Sequence, residues 1–144
     1  MINDTILVLD DEPHFLTWLS DYLECKGYKI KFVTTIDDAF KEINQYRYRA
    51  FVVDLNVPAG EQFSSAIKKL GNVYENYRGL FIAREARTLG YRDRQVVVYS
   101  VHRHDSIQDV CNKIGATYIT KGRPHLFKEE IDAVLAYDPT QKSV

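Results

Sequence analysis

The residues best suited to chemistry in this sequence are acidic and widely spaced: the pair Asp10-Asp11, and then Asp54. The hydroxyl of Ser100 and the ammonium of Lys121 lie further along. Carboxylates gathered at one place repel, and a hard divalent cation relieves the repulsion. Mg²⁺ suits such a group, because it is usually held by one or two carboxylates plus waters and substrate phosphate. With its charge neutralised, one carboxylate oxygen is able to attack an incoming phosphorus and form an acyl phosphate. A lysine and a serine hydroxyl are suited to the other phosphoryl oxygens, where negative charge accumulates. Each residue taken singly has a plainer use. An acidic pair at a strand–helix junction caps the helix, an Asp after a strand makes a turn, and a Lys is solvated.

Whether these groups meet depends on the elements between them. Thr5–Leu9 is a continuous apolar run, as expected of a strand covered on both faces. It ends in Asp10-Asp11-Glu12-Pro13, after which Phe15, Leu16, Leu19, Tyr22 and Leu23 follow a helical period closed by Gly27. Tyr28–Val33 reads as a second strand, and Thr35 to Asp38 has capping-box-like spacing before a helix carrying Ala39, Phe40 and Ile43. A third strand, Ala50–Val53, ends at Asp54. Residues 59–90 are helix-rich, Gln95–Tyr99 is a fourth strand ending at Ser100, and a helix follows near 104–114. Ala116–Ile119 is the fifth strand, and Pro124–Leu135 the last helix.

Strands alternating with helices predict a (βα)₅ α/β fold, a doubly wound five-stranded parallel sheet. Ligands of such sheets sit outside the carboxyl ends of the strands. In a flavodoxin-like order, strands one and three are neighbours, and the singled-out groups converge on one pocket.

The chain has 144 residues, 45% of them hydrophobic and 27% charged, with a formal charge of -1. That is the size of one domain, here assigned to 1–138 with a short polar tail at 139–144. The near-neutral balance argues against a nucleic-acid footprint. No apolar stretch is long enough for a membrane span and no secretory signal opens the chain, so a cytoplasmic protein is expected. Cys25 and Cys111 read as two small buried thiols. The arginines at 78, 84, 87, 92 and 94 read as a solvated helix face.

Together, Asp10-Asp11 with Glu12-Pro13, Asp54 with Pro58, Ser100, and Lys121 preceded by Tyr118 resemble the receiver domains of bacterial two-component response regulators. The resemblance covers nearly the whole chain. It implies that Asp54 is the phosphoacceptor. Mg²⁺ would be held by Asp11 directly, by Asp10 largely through water, and by Asp54 and the backbone carbonyl of Asn56. It further implies that Lys121 pairs with the phosphoryl group, that Ser100 moves to hydrogen-bond it, and that Tyr118 rotates inward behind the hydroxyl. Asn56 and His102 fall where the family tunes acyl-phosphate lifetime. For His102 two uses stay open: positioning or blocking the hydrolytic water, and being an ordinary loop histidine.

The sequence departs from the family pattern in three places. The glycine that opens helix three, Gly79, arrives about seventeen residues late. The extra stretch, roughly 60–77, predicts an amphipathic helix over Gln62–Leu70 and then an aromatic connection through Val73, Tyr74 and Tyr77. Two placements are open for it. One covers the pocket or presents a partner-binding face; the other packs on the side of the domain as a lengthened helix three. Lys121-Gly122 stands where the family usually has Lys-Pro, and Val101 where it favours Ala or Gly.

The resemblance implies a phosphorylation-dependent signalling switch, fed by a sensor histidine kinase or a histidine phosphotransfer protein. It would turn over no separate substrate and would signal through contact with a downstream protein, with no output domain after residue 144. The resemblance also allows a homodimer through the face of helices four and five. A phosphatase of the haloacid-dehalogenase type needs a second Asp two residues after Asp10, where Glu12 stands. The other reading is a phosphorylation-independent interaction module on the same fold.

Overall fold

The apolar runs form five parallel strands in the computed structural model, which describes residues 4–12, 17–100, 105–120 and 124–136. They are β1 (Thr5–Leu9), β2 (Lys29–Val33), β3 (Ala50–Asp54), β4 (Val96–Ser100) and β5 (Thr117–Thr120), in spatial order β2-β1-β3-β4-β5. Every neighbouring pair is parallel, so the sheet is the flavodoxin-like one expected. All residues of β3 and β4 are buried, whereas β2 at the edge alternates covered and open positions. A central parallel strand is covered on both faces, and its sequence is therefore an unbroken apolar run.

Successive side chains of β1 enter different cores, as a period of two requires. Ile6 and Val8 join Leu19 and Leu23 of α1 (Thr17–Cys25) and Phe127 and Ile131 of α7 (Pro124–Ala136) on one face. Leu7 and Leu9 join the other face, which is covered by α2 (Ile36–Gln45), α5 (Gly79–Thr88) and α6 (Asp105–Ile114). The cap expected at Thr35 is present: its hydroxyl accepts the Asp38 backbone N–H at 3.1 Å. Gln95, expected in the fourth strand, instead ends a 3₁₀ turn at Asp93–Gln95. Its side chain donates to the Arg49 carbonyl and accepts the Arg92 N–H, and these bonds hold it out of the ladder.

The extra stretch holds two helices, α3 (Glu61–Lys69) and α4 (Asn72–Asn76). The first is the predicted amphipathic helix. It docks on the side of the domain, with Ile67 buried and the Phe63 ring 4.9 Å from Phe40 and 6.0 Å from Phe81. Its start is tied to α2, since the Gly60 N–H donates to Asp37 Oδ1 at 2.7 Å and the Ile36 N–H to the Pro58 carbonyl at 2.9 Å. The second helix packs against α5 and α6. It was not apparent in the sequence, because one turn of helix is too short to show a period.

Two readings of single residues are corrected. Cys25 is exposed rather than buried, because it lies on the outer side of the last turn of α1, while Cys111 is buried as expected. Arg87 is not part of a solvated face: its guanidinium donates to the Ile114 carbonyl at 2.9 Å and the Tyr91 carbonyl at 2.6 Å, closing the ends of α6 and α5 together. The tail at 139–144 lies outside the described residues.

Candidate functional site

The sheet register sets the positions of the carboxylates. Leu9 pairs with Val53, so Asp10 and Asp54, one step further on, leave adjacent strands at the same level. Asp54 pairs with Tyr99, which brings Ser100 to the end of the next strand. A carboxylate oxygen from each of Asp10, Asp11 and Asp54 lies within 4.8 Å of the other two. Asp10 is 3% exposed and Asp54 6%, while Asp11 faces water. The Glu12 N–H donates to Asp10 Oδ1 at 2.9 Å and the Asp10 N–H to the Val33 carbonyl at 3.0 Å, which fix the first carboxylate in place.

Two carboxylates buried beside a third are costly unless charge of the opposite sign meets them. The donors are all hard oxygens. Such a set, with an open side for water and phosphate, fits Mg²⁺ better than the nitrogen- and sulfur-seeking metals.

Ser100 is 1% exposed at the end of β4. Tyr118 is half-buried on β5 opposite Val98, packed against the core under α5 and α6. Asn56 is exposed in the loop after β3. The structure thus brings Asp10, Asp11 and Asp54 together, with Ser100 on the neighbouring strand end and Tyr118 one strand beyond. Lys121, His102, Val101 and Gly122 lie outside the described residues.

An open cleft of about 480 Å³ includes Asp11, the exposed member of the trio, in its lining. Loop 55–58, Glu75, Asn76 and Arg78 complete the lining. Of the extra stretch, α3 packs on the domain side as a helix separate from α5 rather than as a lengthened helix three, while Glu75 and Asn76 line the open cleft. Arg78, Glu75 and Asn76 were missed in the sequence reading. The available signal was Gly79, whose role in opening a helix beside Asp54 puts its predecessor at the pocket.

Gly79 is required by close approach. A Cβ on it would lie 2.0 Å from the Asp54 carbonyl oxygen, and its N–H donates to the Leu55 carbonyl at 3.0 Å. The N-terminus of α5 therefore sits directly on the backbone of the site.

Solved structures share this architecture across nearly the whole chain. A two-component response regulator from Clostridium difficile superposes with a TM-score of 0.67, covering 92% of this chain and 95% of its own, at 16% identity. A CheY-like response regulator receiver domain protein from Methanospirillum hungatei JF-1 gives 0.68 over 94% and 96%, also at 16%. The fold is that of a response regulator receiver domain. The BeF₃-activated N-terminal receiver domain of Klebsiella pneumoniae RstA has the same receiver fold, with a TM-score of 0.69, 92% and 99% coverage and 16% identity. In sequence, the response regulator GtcR of Aneurinibacillus migulanus is 32% identical over 74 residues. The match spans 51% of this chain and only 30% of that protein. No protein-family profile matches the sequence. Among the described residues, no helix of this receiver fold is long and apolar enough to cross a membrane.

Proposed function

We propose that the chain is a phosphorylation-dependent switch of a two-component system, accepting a phosphoryl group on Asp54. The observation that carries this reading is the trio of carboxylates at the ends of β1 and β3, two of them buried and all within 4.8 Å of one another. Asp10, Asp11, Asp54 and the Asn56 backbone carbonyl would hold Mg²⁺, which would supply the charge neutralisation that lets two anions meet. An Asp54 oxygen forms a bond to phosphorus as the donor's P–N or P–O bond breaks. The electron pair leaves on the donor's imidazole nitrogen or carboxylate oxygen. Ser100 and Lys121 bind the phosphoryl oxygens, and Tyr118 turns inward behind the serine. Asn56 and His102 set how soon water reaches the acyl phosphate. A histidine kinase or phosphotransfer protein is the donor, and a cytoplasmic protein partner reads the face of β4, α6, β5 and α7. No separate substrate is turned over.

The switch is a two-state equilibrium biased by one charged group. Its test is an amide chemical-shift map with Mg²⁺ and a beryllium fluoride analogue of the phosphoryl group. Shifts reaching from Asp54 through β4 and β5 to α6 and α7 are the expected result. Binding without change on that face would sink the switch and favour a phosphorylation-independent interaction module.

A further inference from the structure

The cleft is lined by two charged residues that the carboxylate trio does not need for holding a cation, Glu75 at the end of the extra stretch and Arg78 just after it. Arg78 is half-buried, and its backbone is fixed at the start of α5, where the Phe81 N–H donates to its carbonyl at 3.0 Å. Gly79, pressed on the Asp54 carbonyl, holds the preceding residue, Arg78, near the site. Arg78 lines the cleft together with Asp11 and Asn56, and among the described residues it makes no ion pair. The other of the two, Glu75, is exposed and also makes no ion pair among the described residues. A guanidinium in an open cleft shared with Asp11 has the fork geometry that phosphate oxygens match.

Resting on the phosphoacceptor reading above, we propose that Arg78 is a donor-binding residue: it holds the dianionic phosphoryl group of the incoming donor in the cleft before transfer to Asp54. Arg78 attracts the donor and repels Mg²⁺, so its removal weakens the first and leaves the second unchanged or tighter. Glu75 acts with the opposite sign. A residue needed only for folding would not separate the two ligands in this way.

The experiment measures initial rates of phosphoryl adduct formation against acetyl phosphate concentration, with Mg²⁺ affinity by calorimetry and the urea midpoint as companions. Arg78→Ala is expected to raise the half-saturating donor concentration about tenfold, the size of one charge-assisted contact, with the plateau rate little changed. Arg78→Lys recovers part of the loss, and Glu75→Gln lowers the half-saturating concentration. If rates do not saturate, the slope at low donor concentration carries the same comparison. Equal donor dependence in wild type and Arg78→Ala would overturn the proposal, as would a parallel loss of Mg²⁺ affinity. Should Arg78→Ala fail to fold, Arg78→Lys and Glu75→Gln still decide it, since unchanged slopes in both refute it. A wild-type protein that forms no adduct refutes the phosphoacceptor reading itself, a failure visible before any variant is compared.

Discussion

Asp11 is the one member of the carboxylate trio that water reaches, and its substitution separates repulsion from metal binding. Removing its charge relieves the buried Asp10 and Asp54, so Asp11→Asn is predicted to raise stability in EDTA by about 1 kcal/mol. The same change is predicted to remove most of the stabilisation that Mg²⁺ would give by binding the folded state. Urea unfolding with and without Mg²⁺ checks both signs, and lower stability in EDTA would speak against charge repulsion at the site. The two cysteines give a second residue-scale prediction. Burial pushes the Cys111 thiol up to about 12 from an ordinary value of 9.0, whereas Cys25 is exposed. One thiol should therefore react in the native protein at neutral pH and two in denaturant. Because the unfolded chain ionises Cys111 first, its contribution to stability is complete below about pH 9 and declines as pH rises toward 12. At this scale the sequence was informative wherever an apolar run ended: Asp10, Asp54 and Ser100 each close or follow a strand. Arg78, Glu75 and Asn76 carried no such marker, since their position depends on how a non-periodic connection is routed.

Among the elements, α5 has the tightest geometric demand. Gly79→Ala would place a Cβ 2.0 Å from the Asp54 carbonyl oxygen, and either α5 or the end of β3 must move. The predicted cost is roughly 1–3 kcal/mol in urea unfolding, with amide shifts centred on residues 54 and 55. The insertion is anchored differently, by Ile67 and the rings of Phe40, Phe63 and Phe81. Ile67→Ala is expected to lose roughly 2–4 kcal/mol and to reduce amide protection over 61–69 before that of the sheet. Equal loss of protection throughout would show that α3 unfolds only with the domain. The helix over Glu61–Lys69 was legible because Phe63, Ala66, Ile67 and Leu70 repeat at a helical period. The one-turn helix at Asn72–Asn76 shows no such repeat, and its packing on α5 and α6 is a tertiary decision.

For the molecule as a whole, alternating strands and helices made the doubly wound parallel sheet legible, while the order β2-β1-β3-β4-β5 is the flavodoxin-like one among the arrangements that such alternation allows. That order places the ends of β1, β3 and β4 side by side and turns scattered residues into a site. The central claim is that this site takes a phosphoryl group on Asp54 in a Mg²⁺-dependent way. Intact-protein mass after incubation with acetyl phosphate and Mg²⁺, beside Asp54→Ala and an EDTA control, tests it most directly. The account predicts a single phosphoryl adduct on the wild type, absent without Mg²⁺ and absent in the variant. An adduct that persists in Asp54→Ala, or none on folded wild-type protein while a working receiver is modified alongside it, would contradict it.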